Sequence, residues 1–105
     1  MISFVVPAYN EEERISGTLD EIIKSTTYFE IKDFEIIVIN DCSKDNTIHI
    51  LNELNKNTKF IKILKIINNE KNLGFGGSVK KGFYFAEKKY CMMLPGDNAH
   101  KSDEI

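Results

Sequence analysis

The sequence predicts an α/β domain: one parallel sheet in the order β-α-β-α-β-α-β, with helices on both faces. Two observations carry this. Short apolar runs rich in β-branched residues alternate with stretches whose apolar residues recur every three or four positions. The strand-like runs also close on small polar clusters, three of which carry an acid: Val6-Pro7-Ala8-Tyr9-Asn10-Glu11, Ile39-Asn40-Asp41-Cys42-Ser43 and Leu94-Pro95-Gly96-Asp97. In a parallel sheet all strands point one way, so these exits share an edge. Ligands of such sheets bind in the crevice outside the carboxyl ends of the strands.

The elements follow in order. Ile2 to Val6 is an apolar run closed by Pro7, the pattern of a buried strand. Asn10 is expected to cap the first helix, with Glu13 as its capping-box acid. Ile15, Leu19, Ile22 and Ile23 form the helix's apolar stripe, with Glu12, Arg14, Asp20 and Lys24 off it. Phe34 to Ile39 is a second buried strand. Ile48, Leu51 and Leu54 mark a second helix. Phe60 to Ile67 is expected as a third strand, with Ile61, Ile63 and Lys65 on one face. Asn72 to Ser78 reads as a glycine-rich turn, after which Val79, Phe83 and Ala86 provide a third helix's apolar face. Tyr90 to Leu94 is the fourth strand.

Composition narrows the function classes. The 105 residues are 42% hydrophobic and 29% charged, which suits one globular domain over residues 1–105. A net charge of -2 provides no basic field for nucleic acid. No apolar run approaches the roughly 20 residues of a membrane span. The N-terminus reads as a strand, without the basic flank of a signal peptide. Cys42 and Cys91 have neither disulfide-framework nor metal-ligand spacing, so a reduced, cytoplasmic setting is expected.

Each cluster has a structural and a functional reading. Asn10, Glu12 and Glu13 suit a helix entry, and Ser43, Asp45 and Thr47 suit a turn and cap. Tyr9 has no such necessity and offers an aromatic wall, while Glu11 offers an acceptor to a sugar or base. Asp41 stands where an acid at a strand end reads a ring N–H of a nucleobase. Asp97 is placed to hold a divalent cation shared with substrate phosphates, and His100 to add a ligand or touch a diphosphate. Cys42 has no neighbouring histidine to activate it, and His49 is expected on a surface. The Gly74-Phe75-Gly76-Gly77 turn, with Asp97 about 20 residues on, is a partial dinucleotide fingerprint whose third small residue would fall at Val79.

Taken together, four motifs in order resemble glycosyltransferase family 2: Val5 to Glu11, Val38 to Thr47, Asn72 to Gly77 through Gly82, and Gly96-Asp97-Asn98-Ala99-His100. The polyprenol-phosphate (dolichol-phosphate) sugar transferase branch is the most similar. The resemblance implies the Rossmann-like, nucleotide-sugar-binding half of a GT-A domain. It implies a donor pocket built from Pro7, Ala8, Tyr9, Glu11, Asp41, Gly96 and Asp97, with Tyr9 against the base and Asp41 bonded to it. Asp97 matches the last acid of the family's Asp-Xaa-Asp motif, so Mg²⁺ or Mn²⁺ is the implied cofactor, on Asp97 with His100 as a possible further ligand. Pro95 stands where the motif's first acid belongs, and Asn40 replaces the first of the usual paired acids after the second strand.

The implied reaction is inverting, metal-assisted transfer of a sugar from a nucleotide-diphosphate donor to a polyprenyl phosphate, lipid or glycan. No general base is recognisable; it is expected beyond Ile105, with an acceptor-binding part absent here. The resemblance leaves room for attachment at the cytoplasmic face of a membrane in a longer protein, and leaves the sugar, the base and the oligomeric state open. Two alternatives stand beside it: a dinucleotide-binding domain using the Gly74 turn and Asp97, and a non-catalytic nucleotide-sugar binding module.

Overall fold

The computed structural model describes residues 1–88 and 90–94. Among these, β1 (Ile2–Ala8), α1 (Ile15–Tyr28), β2 (Phe34–Asn40), α2 (Thr47–Leu54), β3 (Leu64–Asn68), α3 (Gly74–Phe85) and β4 (Tyr90–Met93) follow one another as the sequence predicts. The sheet is parallel throughout, in the order β3-β2-β1-β4. The chain steps from β1 to β2 to β3, then α3 carries it back to the far side of β1. Strand order therefore reverses between β1 and β4, which is where ligands of such sheets lodge.

Side chains alternate across the pleat, so each face of the sheet has its own partner. Phe4, Val6, Ala8, Ile36, Val38 and Leu64 face α1 and α2 and close a core with Ile15, Leu19, Ile22, Leu51 and Phe60. Val5 and Ile39 face α3, whose buried residues are Ser78 and Gly82. A Cβ on Gly82 would collide with Val5 Cγ1 and lie 3.4 Å from Ile39 Cγ1. Small residues let this helix approach the sheet closely.

Several expectations are corrected. β1 does not end at Pro7 but runs through it to Ala8. Val5 O bonds toward β4, at Leu94 N, and Ala8 O bonds toward β2, at Asp41 N. Backbone alternation therefore points the Pro7 nitrogen to the β4 side, beyond Val5–Met93, the last pair with β4 among the described residues. The N-cap of α1 is Arg14 with no side-chain bond, not Asn10. β3 begins at Leu64, because Phe60 to Ile63 are turns; Phe60 is fully buried while Ile61 is exposed. Lys65 does not share a face with Ile61 and Ile63 but pairs with Glu35 on the α3 side. The glycines are α3's first turn rather than a loop before it, and Phe83, expected on the buried face, is 44% exposed.

At the amino end of the sheet, away from the exits, Glu35 is buried. Its Oε2 accepts the Ser3 hydroxyl at 2.6 Å and the Glu87 N–H at 2.7 Å, and Oε1 meets Lys65 Nζ at 2.7 Å. The Lys88 N–H donates to Ser3 Oγ at 3.1 Å, so this cluster pins the segment that enters β4. Burial opposes ionisation of Glu35, but the Lys65, Ser3 and Glu87 donors outweigh it and bring its pKa to about 2.

Candidate functional site

The exits of β1 and β2 are sewn together at the carboxyl edge. Asp41 N donates to Ala8 O at 2.8 Å, so the residues after Ala8 and the Asp41 turn sit side by side. Asn10 and Cys42 both adopt left-handed backbone, with φ of 52° and 57°, where the chain turns away from each strand. Asn10 N donates to Ser43 Oγ at 3.0 Å, and Asn10 Oδ1 accepts Lys44 N at 2.7 Å. Asn10 thus bridges two loops instead of capping a helix. Glu11 N donates to Thr47 Oγ1 at 2.9 Å and Glu12 N to Asp45 Oδ2 at 3.2 Å. Asp45 Oδ1 also accepts the Thr47 N–H at 3.0 Å and the Thr47 hydroxyl. Burial opposes ionisation of Asp45, yet these donors hold its carboxyl below the usual range. Ser43, Asp45 and Thr47 are therefore structural, as expected, but they fasten the β1 exit as well as their own turn.

The candidate site residues occupy distinct positions on this frame. Pro7 and Ala8 are buried in β1. Tyr9 projects at the rim, 42% exposed. Glu11 is half-buried, its carboxylate 3.4 Å from Arg14 Nε. Asp41 is 4% exposed and faces the β3–α3 connection. Its Oδ1 accepts Leu73 N at 2.6 Å and Asn69 Nδ2 at 2.9 Å; its Oδ2 accepts Gly74 N at 2.9 Å. Asp41 thus fixes the start of α3 across 33 residues of chain. Two of the amides that a phosphate-binding reading of the glycine turn would need are occupied by this carboxylate. Gly96, Asp97 and His100 lie outside the described residues.

Sequence reasoning missed Asn69, which bonds Asp41, and two further residues of the surrounding network, Lys81 and Asn68. Asn69 is buried and donates from Nδ2 to Asp41 Oδ1 and, at 3.3 Å, to Ser78 Oγ. Lys81 Nζ donates to Asn69 Oδ1 at 2.7 Å. Asn68 accepts the Asn40 Nδ2 at 3.0 Å, so Asn40 is tied to the β3 exit. A cavity of about 570 Å³ opens beside this network, lined by Asn68, Asn69, Glu70, Lys71, Leu73 and Lys81. That volume falls within the usual range for small-molecule sites. The one available signal was the double Asn at the third strand's exit, polar residues closing an apolar run as at the other exits.

Among the described residues, no three His, Cys, Asp or Glu side chains gather as a cation site. Asp41 bonds three N–H donors and joins no such group. The residues expected to hold a metal are those outside the described range.

Known proteins share this architecture. The sequence model of Glycosyl transferase family 2 matches residues 3–105. A dolichyl-phosphate beta-glucosyltransferase of Dictyostelium discoideum is 38% identical over 104 residues, covering 93% of this chain and 31% of its own length. A poly-beta-1,6-N-acetyl-D-glucosamine synthase of Staphylococcus epidermidis is 35% identical, covering 97% of this chain and 23% of its own. The crystal structure of S. aureus TarS in complex with UDP-GlcNAc superposes with a TM-score of 0.75 at 30% identity, over 91% of this chain and 26% of that one. A Pyrobaculum calidifontis mannosyltransferase, in complex with GDP-Man and Mn²⁺, shares the fold with a TM-score of 0.75 at 19% identity, over 91% of this chain and 27% of that one. The chain thus spans about a third or less of the length of these relatives. The chain belongs to glycosyl transferase family 2.

Proposed function

We propose that the 105 residues form the donor-binding part of a glycosyltransferase that moves a sugar from a nucleotide-diphosphate donor to an acceptor. The observation that carries this reading is the Asp41 N–Ala8 O bond, which sets the turns bearing Tyr9 and Asp41 side by side at the carboxyl edge of the sheet. The relative named for dolichyl-phosphate glucosylation and the UDP-GlcNAc complex of TarS support it.

In this reading Tyr9 packs against the base and Glu11 accepts a hydrogen bond from the sugar or base. Asp41 serves twice: it anchors α3, and Oδ2, which takes a single donor against two on Oδ1, keeps an acceptor position for a base N–H. Gly96 and Asp97, which lie outside the described residues, are the remaining pocket residues of this reading. Mg²⁺ or Mn²⁺ held by Asp97, with His100 as a further ligand, would offset charge on the departing diphosphate. Transfer proceeds with inversion at the sugar, in a single displacement that needs a general base opposite the leaving group. That base and the acceptor contacts belong to sequence of the kind that makes up the rest of the relatives' length. The acceptor in this reading is a polyprenyl phosphate, lipid or glycan, met in the cytoplasm or at the cytoplasmic face of a membrane; the relatives named for dolichyl phosphate support the first of the three. Among the described residues, no helix is long and apolar enough to cross a membrane.

A dinucleotide-binding reading fares worse, because the Leu73 and Gly74 amides it would use are bonded to Asp41. Calorimetry with UDP, GDP and NAD, each with and without Mn²⁺, tests the choice. Metal-strengthened binding of one nucleoside diphosphate supports the transferase; tight NAD binding that ignores the metal overturns it.

A further inference from the structure

The two faces of the sheet differ in chemistry. On the α1/α2 side a groove of about 590 Å³ runs along α2, and Glu12, His49, Ile50, Glu53 and Leu54 are among the residues that line it. Ile50 and Leu54 are partly buried against the core below, so they form an apolar floor. Glu12 and Glu53 stand exposed at its sides, and among the described residues no lysine or arginine lines it. Glu53 meets Lys56 Nζ at 3.3 Å, but both side chains are 74% exposed, and a pair so solvated is readily exchanged for another. On the opposite face lies α3, which carries Lys80 and Lys81 and no acid. Lys80 and Tyr84 stand one turn apart on its outer side, both exposed, Tyr84 by 83%. The Tyr84 ring meets that of Phe85 edge to face at 5.2 Å, and Phe85 is exposed as well. An exposed aromatic beside an ammonium is the complement of an apolar floor between carboxylates.

We propose that the groove along α2 receives a second copy of this chain: Tyr84 of one copy enters over Ile50 and Leu54 of the next, and Lys80 meets the carboxylates of Glu12 and Glu53. The charges are complementary, acids without bases on one surface and lysines without acids on the other. The two surfaces lie on opposite sides of the sheet, so a copy that uses one keeps the other open. The contact is therefore head to tail rather than two-fold, and copies add one after another. One helix side in one groove belongs to the small, transient class of interface, so the association is weak and rises with concentration. It involves neither Asp41 nor the cavity at the β3 exit, and it stands whether or not the donor-pocket reading holds.

The test is sedimentation velocity on the chain from about 10 µM to about 1 mM, the range suited to contacts of this class. It is run at about 20 mM and about 500 mM salt, where the Debye length is roughly 20 Å and roughly 4 Å. At low salt the mean mass is expected to rise with concentration above that of one chain, and at high salt to fall back toward it. Glu53→Lys and Lys80→Glu should each weaken self-association about tenfold or more, by setting like charges face to face. Tyr84→Ser should weaken it through the lost apolar contact, and circular dichroism verifies that all three variants fold. Glu53→Lys keeps its α3 surface and Tyr84→Ser keeps its groove, so an equal mixture of the two should form a pair that stops at two chains. The mass of one chain at every concentration overturns the proposal. So does association that ignores both salt and Glu53→Lys, which would place the contact elsewhere, as on the β4 edge, and so does a mixture that stays at one chain.

Discussion

Asp41, at the exit of β2, holds Gly74, the first residue of α3, through a 2.9 Å hydrogen bond from the Gly74 N–H to its Oδ2. One buried carboxylate thereby ties the second crossover to the third and sets the wall of the cavity beside Asn69. Gly74 takes φ of 78° there, a conformation that glycine reaches without steric cost.

Replacing Asp41 should therefore have two effects. Asp41→Ala strands the Leu73 and Gly74 amides and the Asn69 carboxamide. It is expected to lower stability by about 2–4 kcal/mol in urea denaturation. Where the variant stays folded, its affinity for a nucleoside diphosphate should fall by about 1–3 kcal/mol. Unchanged affinity in a folded variant would remove Asp41 from the binding site while leaving its structural role intact.

Tyr9 should show the opposite balance. Its ring stands at the rim with no hydrogen bond required for the fold, so Tyr9→Ala is expected to change stability by less than about 0.5 kcal/mol. Loss of stacking should weaken nucleoside diphosphate binding by about 1–3 kcal/mol. A denaturation midpoint that drops while affinity holds would assign Tyr9 to packing.

Gly82 tests the close approach of α3. Alanine there must displace Val5, and Gly82→Ala is expected to destabilise the chain by about 1–3 kcal/mol. Val79→Ala, on the half-buried side of the same helix, should cost less. Equal losses at the two positions would show that the helix does not rest on Gly82.

Glu35 makes stability depend on acid. Its folded pKa of about 2 lies below its ordinary 4.5, so the folded state binds the proton more weakly than the unfolded chain. The stabilisation is fully present above about pH 4.5 and is lost as pH falls toward about 2. Glu35→Gln should be less stable at pH 7 and show a shallower loss over that acid range. Parallel pH profiles for the two proteins would contradict the Ser3–Glu35–Lys65 cluster as the cause.

The alternation of strands and helices was legible because apolar stripes at α1 and α2 and β-branched runs at β1 and β2 advertise their faces. α3 was misread because its buried face is made of Ser78 and Gly82, and a helix that packs by having no side chain leaves no apolar stripe. Phe60 extended the third strand on paper, since a short apolar run does not separate a strand from a buried turn. Asn10 was assigned to a local cap, but its partners Ser43 and Lys44 lie 33 and 34 residues away, beyond any window of local pattern. Asp41 was singled out for ligand chemistry, yet its amide donors at 69, 73 and 74 could be known only from the folded chain. The acid-bearing exits of β1 and β2 were readable because parallel strands must deliver them to one edge.

If the exits of β1, β2 and β4 form one donor pocket, as proposed, amide-resolved ¹⁵N NMR with UDP or GDP titrated in the presence of Mg²⁺ should show the Tyr9, Leu73, Gly74 and Asp97 signals moving together on one saturable isotherm. Separate isotherms, or a Tyr9 signal that stays still while the Gly74 turn responds alone, would contradict it.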